Sequence, residues 1–104
     1  MKIDDLFSVK DKVAVVTGGS RGIGEMIASA YLANGATVYI TSRKADVCDA
    51  KAIELSERYN AQCTSLPSDL SSLEGIEKFV EEVSALETGI DILVNNAGAA
   101  WAEP

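Results

Sequence analysis

Short, uninterrupted runs of apolar and mostly β-branched residues are what most constrain this chain. Val13-Ala14-Val15-Val16 is one, Thr37-Val38-Tyr39-Ile40-Thr41 a second, and Ile90-Asp91-Ile92-Leu93-Val94 a third. Such a run has no polar face to turn to water, so it suits a strand buried between two layers of helices in a parallel sheet. Gln62 to Leu66 makes a weaker fourth strand. Helical periodicity fills the intervals. Ile23, Ile27, Ala30 and Tyr31 form one stripe, closed by Gly35 as a C′ glycine. Cys48, Ala52, Leu55 and Tyr59 form another, and Ile76, Phe79, Val80, Val83 and Leu86 a third. Ser71-Ser72-Leu73-Glu74 reads as a capping box, with Ser71 as N-cap and Glu74 reaching back. Gly89 breaks the chain before the last strand.

The predicted order is β-α-β-α-β-α-β, an α/β fold with a parallel sheet and helices on both faces. Right-handed crossovers lay three strands one way and return the fourth past the first, giving strand order 3-2-1-4. The reversal opens a crevice at the carboxyl ends of strands 1 and 4, where ligands bind in such sheets.

A glycine loop sits at that point. Strand 1 runs into Thr17-Gly18-Gly19-Ser20-Arg21-Gly22-Ile23-Gly24 and then into a helix. Gly18 permits a turn straight off the strand, Gly22 lets bare backbone approach a pyrophosphate, and Gly24 lets the helix pack closely. The helix start offers unpaired N–H groups and the positive end of its dipole. Ser20 and Arg21 add side-chain donors. A glycine-rich turn without a ligand is the plainer alternative; the strand-loop-helix context favours the phosphate role. No Gly-Lys-Ser/Thr follows, so this is not a P-loop.

The Gly-x-x-x-Gly-x-Gly spacing after Thr17 resembles the glycine signature of the short-chain dehydrogenase/reductase family. Asp69-Leu70 after strand 3 and Asn95-Asn96-Ala97-Gly98 after strand 4 extend the resemblance over nearly the whole chain. From Phe7 to Gly24 it is most similar to the β-ketoacyl reductase and related NADPH-dependent branches. The resemblance implies a Rossmann-type dinucleotide-binding domain over residues 1–104. It implies that Gly18, Ser20, Arg21, Gly22 and Ile23 line the phosphates. Asp69 would accept a hydrogen bond from the adenine amino group, with Leu70 supporting the ring. Asn96, Ala97 and Gly98 would pass beside the adenine ribose, and Asn95 would tie strand 4 to its neighbours. Read without the family, Asp69 is a helix-capping or solvated carboxylate, and Asn95 and Asn96 are turn residues before a glycine.

An NAD-specific site carries an acidic residue about 20 residues after the loop, to bind the ribose 2′-hydroxyl. Strand 2 ends instead in Thr41-Ser42-Arg43-Lys44. A guanidinium attracts a 2′-phosphate and binds it through two donors. Arg43, with Ser42 as a further donor and Arg21 within reach, therefore points to NADP(H). An ordinary solvated loop before helix 2 is the alternative for Arg43 and Lys44.

The family's catalytic serine and Tyr-x-x-x-Lys pair are missing. Tyr31 is followed four residues later by Gly35, Tyr39 by Arg43 and Tyr59 by Cys63. Tyr39 reads as a half-buried strand residue, and no catalytic residue is assigned. The chain ends at Ala100-Trp101-Ala102-Glu103-Pro104, where the family continues into another helix, more strands and the catalytic segment. The expectation is the cofactor-binding half of a longer carbonyl reductase or alcohol dehydrogenase, truncated after strand 4. Two other readings stand beside it: a non-catalytic dinucleotide-binding module, and an inactive fragment that self-associates through the open edge of strand 4.

Composition narrows the remaining classes. A formal charge of −7 repels nucleic acid. The absence of histidine excludes His-based triads and His-zinc sites. Cys48 and Cys63 lack CxxC spacing and read as small buried hydrophobes in a reduced protein, so no metal is assigned. No apolar run approaches the roughly 20 residues that span a bilayer, and the acidic N-terminus lacks a signal-peptide core. The expected partner is a small carbonyl or alcohol substrate, the expected location the cytoplasm. The family resemblance implies a homo-oligomer.

Overall fold

Strand boundaries follow the β-branched runs closely. In the computed structural model, which describes residues 8–87 and 89–96, β1 is Val13–Thr17, β2 Thr37–Thr41, β3 Cys63–Ser65 and β4 Ile92–Asn95. All neighbours pair in parallel, in the order β3-β2-β1-β4. The fourth strand starts two positions later than the apolar run implied. Ile90 stays exposed, because the Asp91 carboxylate and amide both engage the backbone of Val13 at 2.9 Å before the ladder begins.

Alternation along β1 and β2 divides the core in two. Ala14, Val16, Val38 and Ile40 face α1 (Gly22–Ala33) and α2 (Ala45–Tyr59), meeting Ala28, Leu32, Cys48, Ala52 and Leu55. Val15 and Tyr39 face the other way, onto Phe79 and Val83 of α3 (Leu73–Leu86). Two helices on one face and one on the other is the arrangement that right-handed crossovers require of parallel strands in this order.

The stripe read for α2 holds: Cys48, Ala52 and Leu55 are buried. That of α1 is corrected. Its buried positions are Gly24, Ala28 and Leu32, with Ile27 and Tyr31 flanking them, whereas Ile23 is 66% exposed and Ala30 lies outside. The helix is rotated so that the bare backbone at Gly24 meets the preceding loop, which turns Ile23 outward. In α3 only Phe79 and Val83 reach the sheet; Ile76, Val80 and Leu86 are exposed. The capping box is also corrected. The N-cap is Ser72, whose hydroxyl accepts from the Gly75 amide at 3.0 Å. Ser71 is engaged by Asp69 instead. The end of α1 is as read: Gly35 has φ +92°, and the amides of Gly35 and Ala36 reach the carbonyls of Leu32 and Tyr31 in a Schellman closure.

Tyr39, expected to be half-buried, is 2% exposed. Its phenol donates to Glu87 Oε2 at 2.6 Å, fastening the C-cap of α3 to the sheet. Burial above all, then the Glu87 hydrogen bond and charge, push the phenol from 10.0 up to about 12. Folding thus favours the protonated form. The stabilisation is intact below pH 10.0, where the unfolded phenol would ionise, and is lost as pH rises through about 12. An ultraviolet phenolate titration should show a late step near pH 12 that Tyr39→Phe removes. A wild-type titration complete near pH 10 would contradict this contact.

Candidate functional site

A cleft of about 750 Å³ opens where β1, β2 and β3 end and the chain turns into the three helices. Its first wall is the β1–α1 loop, through Gly18, Ser20 and Arg21. This loop is held on two sides. The Gly18 amide donates to the Thr41 carbonyl at 2.8 Å, tying it to the end of β2. On the other side the Gly18 carbonyl lies on the first turn of α1, where a Cβ on Gly24 would come within 2.0 Å of it.

The start of α1 is chemically open. Arg21 occupies the N-cap in extended conformation, and its side chain makes no capping hydrogen bond. Its first-turn amides therefore keep hydrogen-bonding capacity that α3 spends on Ser72. Helix α2 likewise begins at the cleft, with Lys44 at its N-cap and no side-chain cap. Two positive helix ends thus meet Arg21, Arg43 and Lys44 at one cleft in a chain of net charge −7.

The second wall is the end of β2. The Thr41 and Ser68 hydroxyls share a hydrogen bond of 2.6 Å, and the Ser68 amide donates to the Ser42 carbonyl at 3.0 Å. The Ser42 hydroxyl is buried without a partner among the described residues. A buried hydroxyl left unpaired is unfavourable by about 1–3 kcal/mol, so this one is a donor in need of an acceptor.

The third wall is the β3–α3 loop, through Ser68, Asp69, Leu70 and Ser71. Asp69 is exposed. Its Oδ1 accepts from the Ser71 hydroxyl at 2.5 Å and the Ser71 amide at 3.0 Å. These bonds, with a smaller contribution from the Arg43 charge, hold the carboxyl below the usual carboxylate range. Asp69 is therefore not the cap of α3, a role that Ser72 fills, and its Oδ1 is engaged by Ser71 in the loop that lines the cleft.

Strand β4 closes the end. Thr17 Oγ1 accepts from the Asn96 amide at 2.7 Å and lies within 3.3 Å of Asn95 Oδ1 and 3.2 Å of the Val94 carbonyl. Of the residues predicted to bind, Gly18, Ser20, Arg21, Ser42, Arg43, Asp69 and Leu70 line one cleft. Gly22, Ile23, Gly24 and Asn96 lie outside its wall, although a Cβ on Gly22 would point into open space. Ala97 and Gly98 lie outside the described residues. Thr41, Val47, Ser68, Ser71 and Asn95 also line the wall and were not read from the sequence as binding residues. Val47 has a signal of a kind: it is an apolar residue off the α2 stripe and 40% exposed. Ser68 has none, since its partner is 27 residues away.

The family model described as short chain dehydrogenase matches residues 12–104. A rhamnolipids biosynthesis 3-oxoacyl-acyl-carrier-protein reductase of Pseudomonas aeruginosa is 45% identical over 95 residues, 91% of this chain and 36% of that protein. The chain spans about a third of the length of the curated relatives it matches. The Pseudomonas aeruginosa RhlG/NADP active-site complex superposes with a TM-score of 0.85 at 46% identity, covering 89% of this chain and 37% of that one. L-Sorbose reductase from Gluconobacter frateurii, complexed with NADPH and L-sorbose, gives 0.84 at 37% identity, covering 91% and 36%.

The contact at Gly24 makes an inverted mutational sign. Gly→Ala inside a helix ordinarily stabilises by about 0.5–1 kcal/mol. Here the new methyl meets the Gly18 carbonyl, so Gly24→Ala should destabilise by about 1–3 kcal/mol. Urea denaturation would read the difference; a gain in midpoint would mean that loop and helix are not in contact.

Proposed function

Because the chain belongs to the short-chain dehydrogenase family, we propose that residues 1–104 are the dinucleotide-binding part of a longer NADP(H)-dependent oxidoreductase. Its substrate is a small molecule carrying a carbonyl or an alcohol. The single observation carrying the cofactor choice is the end of β2, where the buried, unpartnered Ser42 hydroxyl stands next to Arg43 and no carboxylate lines that wall. A 2′-phosphate supplies the acceptor that Ser42 lacks and the charge that Arg43 attracts. The NADP and NADPH complexes of the two structural relatives support this reading.

The other roles follow from position. Gly18, Ser20, Arg21, Gly22 and Ile23 hold the diphosphate at the uncapped start of α1, with Gly24 fixing that loop. Asp69 receives the adenine amino group beside Leu70, and Asn96, Ala97 and Gly98 run along the ribose. When bound, the nicotinamide supplies or takes up the hydride. The chain's own residues bind and orient it, and none of residues 1–104 is assigned a proton-transfer role. Two buried free thiols fit a reducing compartment, so we place the protein in the cytoplasm; its assembly is a homo-oligomer.

Paired substitutions test the cofactor choice. Arg43→Ala should weaken NADPH binding by about 10- to 100-fold, the worth of a charge-assisted hydrogen bond, and leave NADH binding nearly unchanged. Ser42→Ala should weaken NADPH in the same sense while leaving the ligand-free protein as stable or slightly more so, since it removes an unpaired buried hydroxyl. Fluorescence titration with both nucleotides gives the ratio. Equal losses for NADPH and NADH would overturn the assignment.

A further inference from the structure

The β3–α3 loop repeats, at a second place, the packing seen in the glycine loop. Gly24 is the third residue of α1, and a Cβ there would lie 2.0 Å from the carbonyl oxygen of Gly18, six residues earlier. Gly75 is the third residue of α3, and a Cβ there would lie 1.7 Å from the carbonyl oxygen of Asp69, also six residues earlier. Both obstructing atoms are backbone, so neither can swing aside. The Gly75 amide is meanwhile fixed by the Ser72 cap at 3.0 Å. The backbone of Asp69 is therefore pressed onto the first turn of α3. The Ser71 amide and hydroxyl both close on Oδ1 of its carboxylate. Main chain and side chain of one exposed residue are each held independently. A solvated carboxylate that only broke the helix would require neither restraint.

We infer that Ser71 and Gly75 are positioning residues that set the Asp69 carboxylate in one orientation, so that Oδ2 alone is offered to a donor in the cleft. This rests on the nucleotide reading of the cleft and deepens it: the pair sharpens recognition of a base that carries an exocyclic amino group. A carboxylate with one oxygen fully engaged is an acceptor of fixed direction. It accepts from an amine and repels a carbonyl oxygen. Arg43, whose charge acts on Asp69 across the cleft, stabilises the same ionised state.

The test compares NADPH with its hypoxanthine analogue, in which a carbonyl replaces the 6-amino group. It uses the full chain, Ser71→Ala, Ser71→Thr and Gly75→Ala. Wild type should prefer NADPH by about tenfold or more, the worth of a hydrogen bond to a charged acceptor. Ser71→Ala should lose most of that preference and Ser71→Thr, which keeps a hydroxyl and an amide, should restore it. The preference should also fade as acid protonates Asp69, and do so at higher pH in Ser71→Ala, because the hydroxyl bond, the largest of the contacts that keep the carboxyl acidic, is gone while the amide bond stays. A purely structural role would not move that pH profile. Carbon-13 titration of the Asp69 carboxyl in the ligand-free proteins reads the same displacement without any nucleotide. Gly75→Ala, if folded by circular dichroism, should behave as Ser71→Ala does. An unmoved Asp69 titration, or an unchanged base preference in Ser71→Ala, overturns the inference and leaves the nucleotide reading intact. Failure of wild type to bind either nucleotide overturns both.

Discussion

Two loop carbonyls resting on the first turns of two helices hold this structure's cleft open. Each contact exists because a side chain is missing at the third helical residue. Move either carbonyl by the width of a methyl group and the loop above it must rise. Raising the Gly18 loop would strain its tie to the Thr41 carbonyl and, with it, the junction between β1 and β2. Raising the Asp69 loop would disturb Ser68, whose amide and hydroxyl hold Ser42 and Thr41. The walls are thus braced against each other through backbone atoms, and the exposed Arg21, Arg43 and Lys44 are carried on a frame they do not build.

That frame explains which parts were readable beforehand. The run from Thr37 to Thr41 is β2 residue for residue, because a strand buried on both faces has only its side chains to define it. Strand order followed from chirality and the helical intervals. The α2 stripe was legible because that helix lies flat on one wide apolar surface. Helix α1 was misread because its orientation is decided by backbone contact at Gly24, which carries no hydrophobic signal. Ser71 and Ser72 are indistinguishable as caps until Asp69 claims one of them. Nothing in the sequence marks Gly75, since its contact is made by a carbonyl that any residue at position 69 would supply. Within the site, the loop motifs were readable, and the hydroxyl pairing of Thr41 with Ser68 was not.

Electrostatics adds a separate layer. An acidic chain ordinarily repels anions, yet the cleft concentrates basic side chains and two helix ends without side-chain caps. The acidic groups placed elsewhere are partly spent within the fold: Glu25 and Glu54 share Lys51, and Glu54 also pairs with Arg58. Such exposed pairs contribute little stability each. Arg21, Arg43 and Lys44 take no part in these pairs and stand at the cleft.

The unequal cladding of the sheet has its own outcome. One face carries two helices and a broad core; the other is joined to α3 through Phe79, Val83 and the Tyr39–Glu87 bond. Amide hydrogen exchange in such a body should run at two rates, with the α3 side opening first as a local unit. The cleft straddles that seam, with Gly18 on the slow side and Asp69 on the fast one. A molecule seated across it acts as a strap between them, so occupancy would slow opening of the looser half and make the melting point rise with ligand concentration.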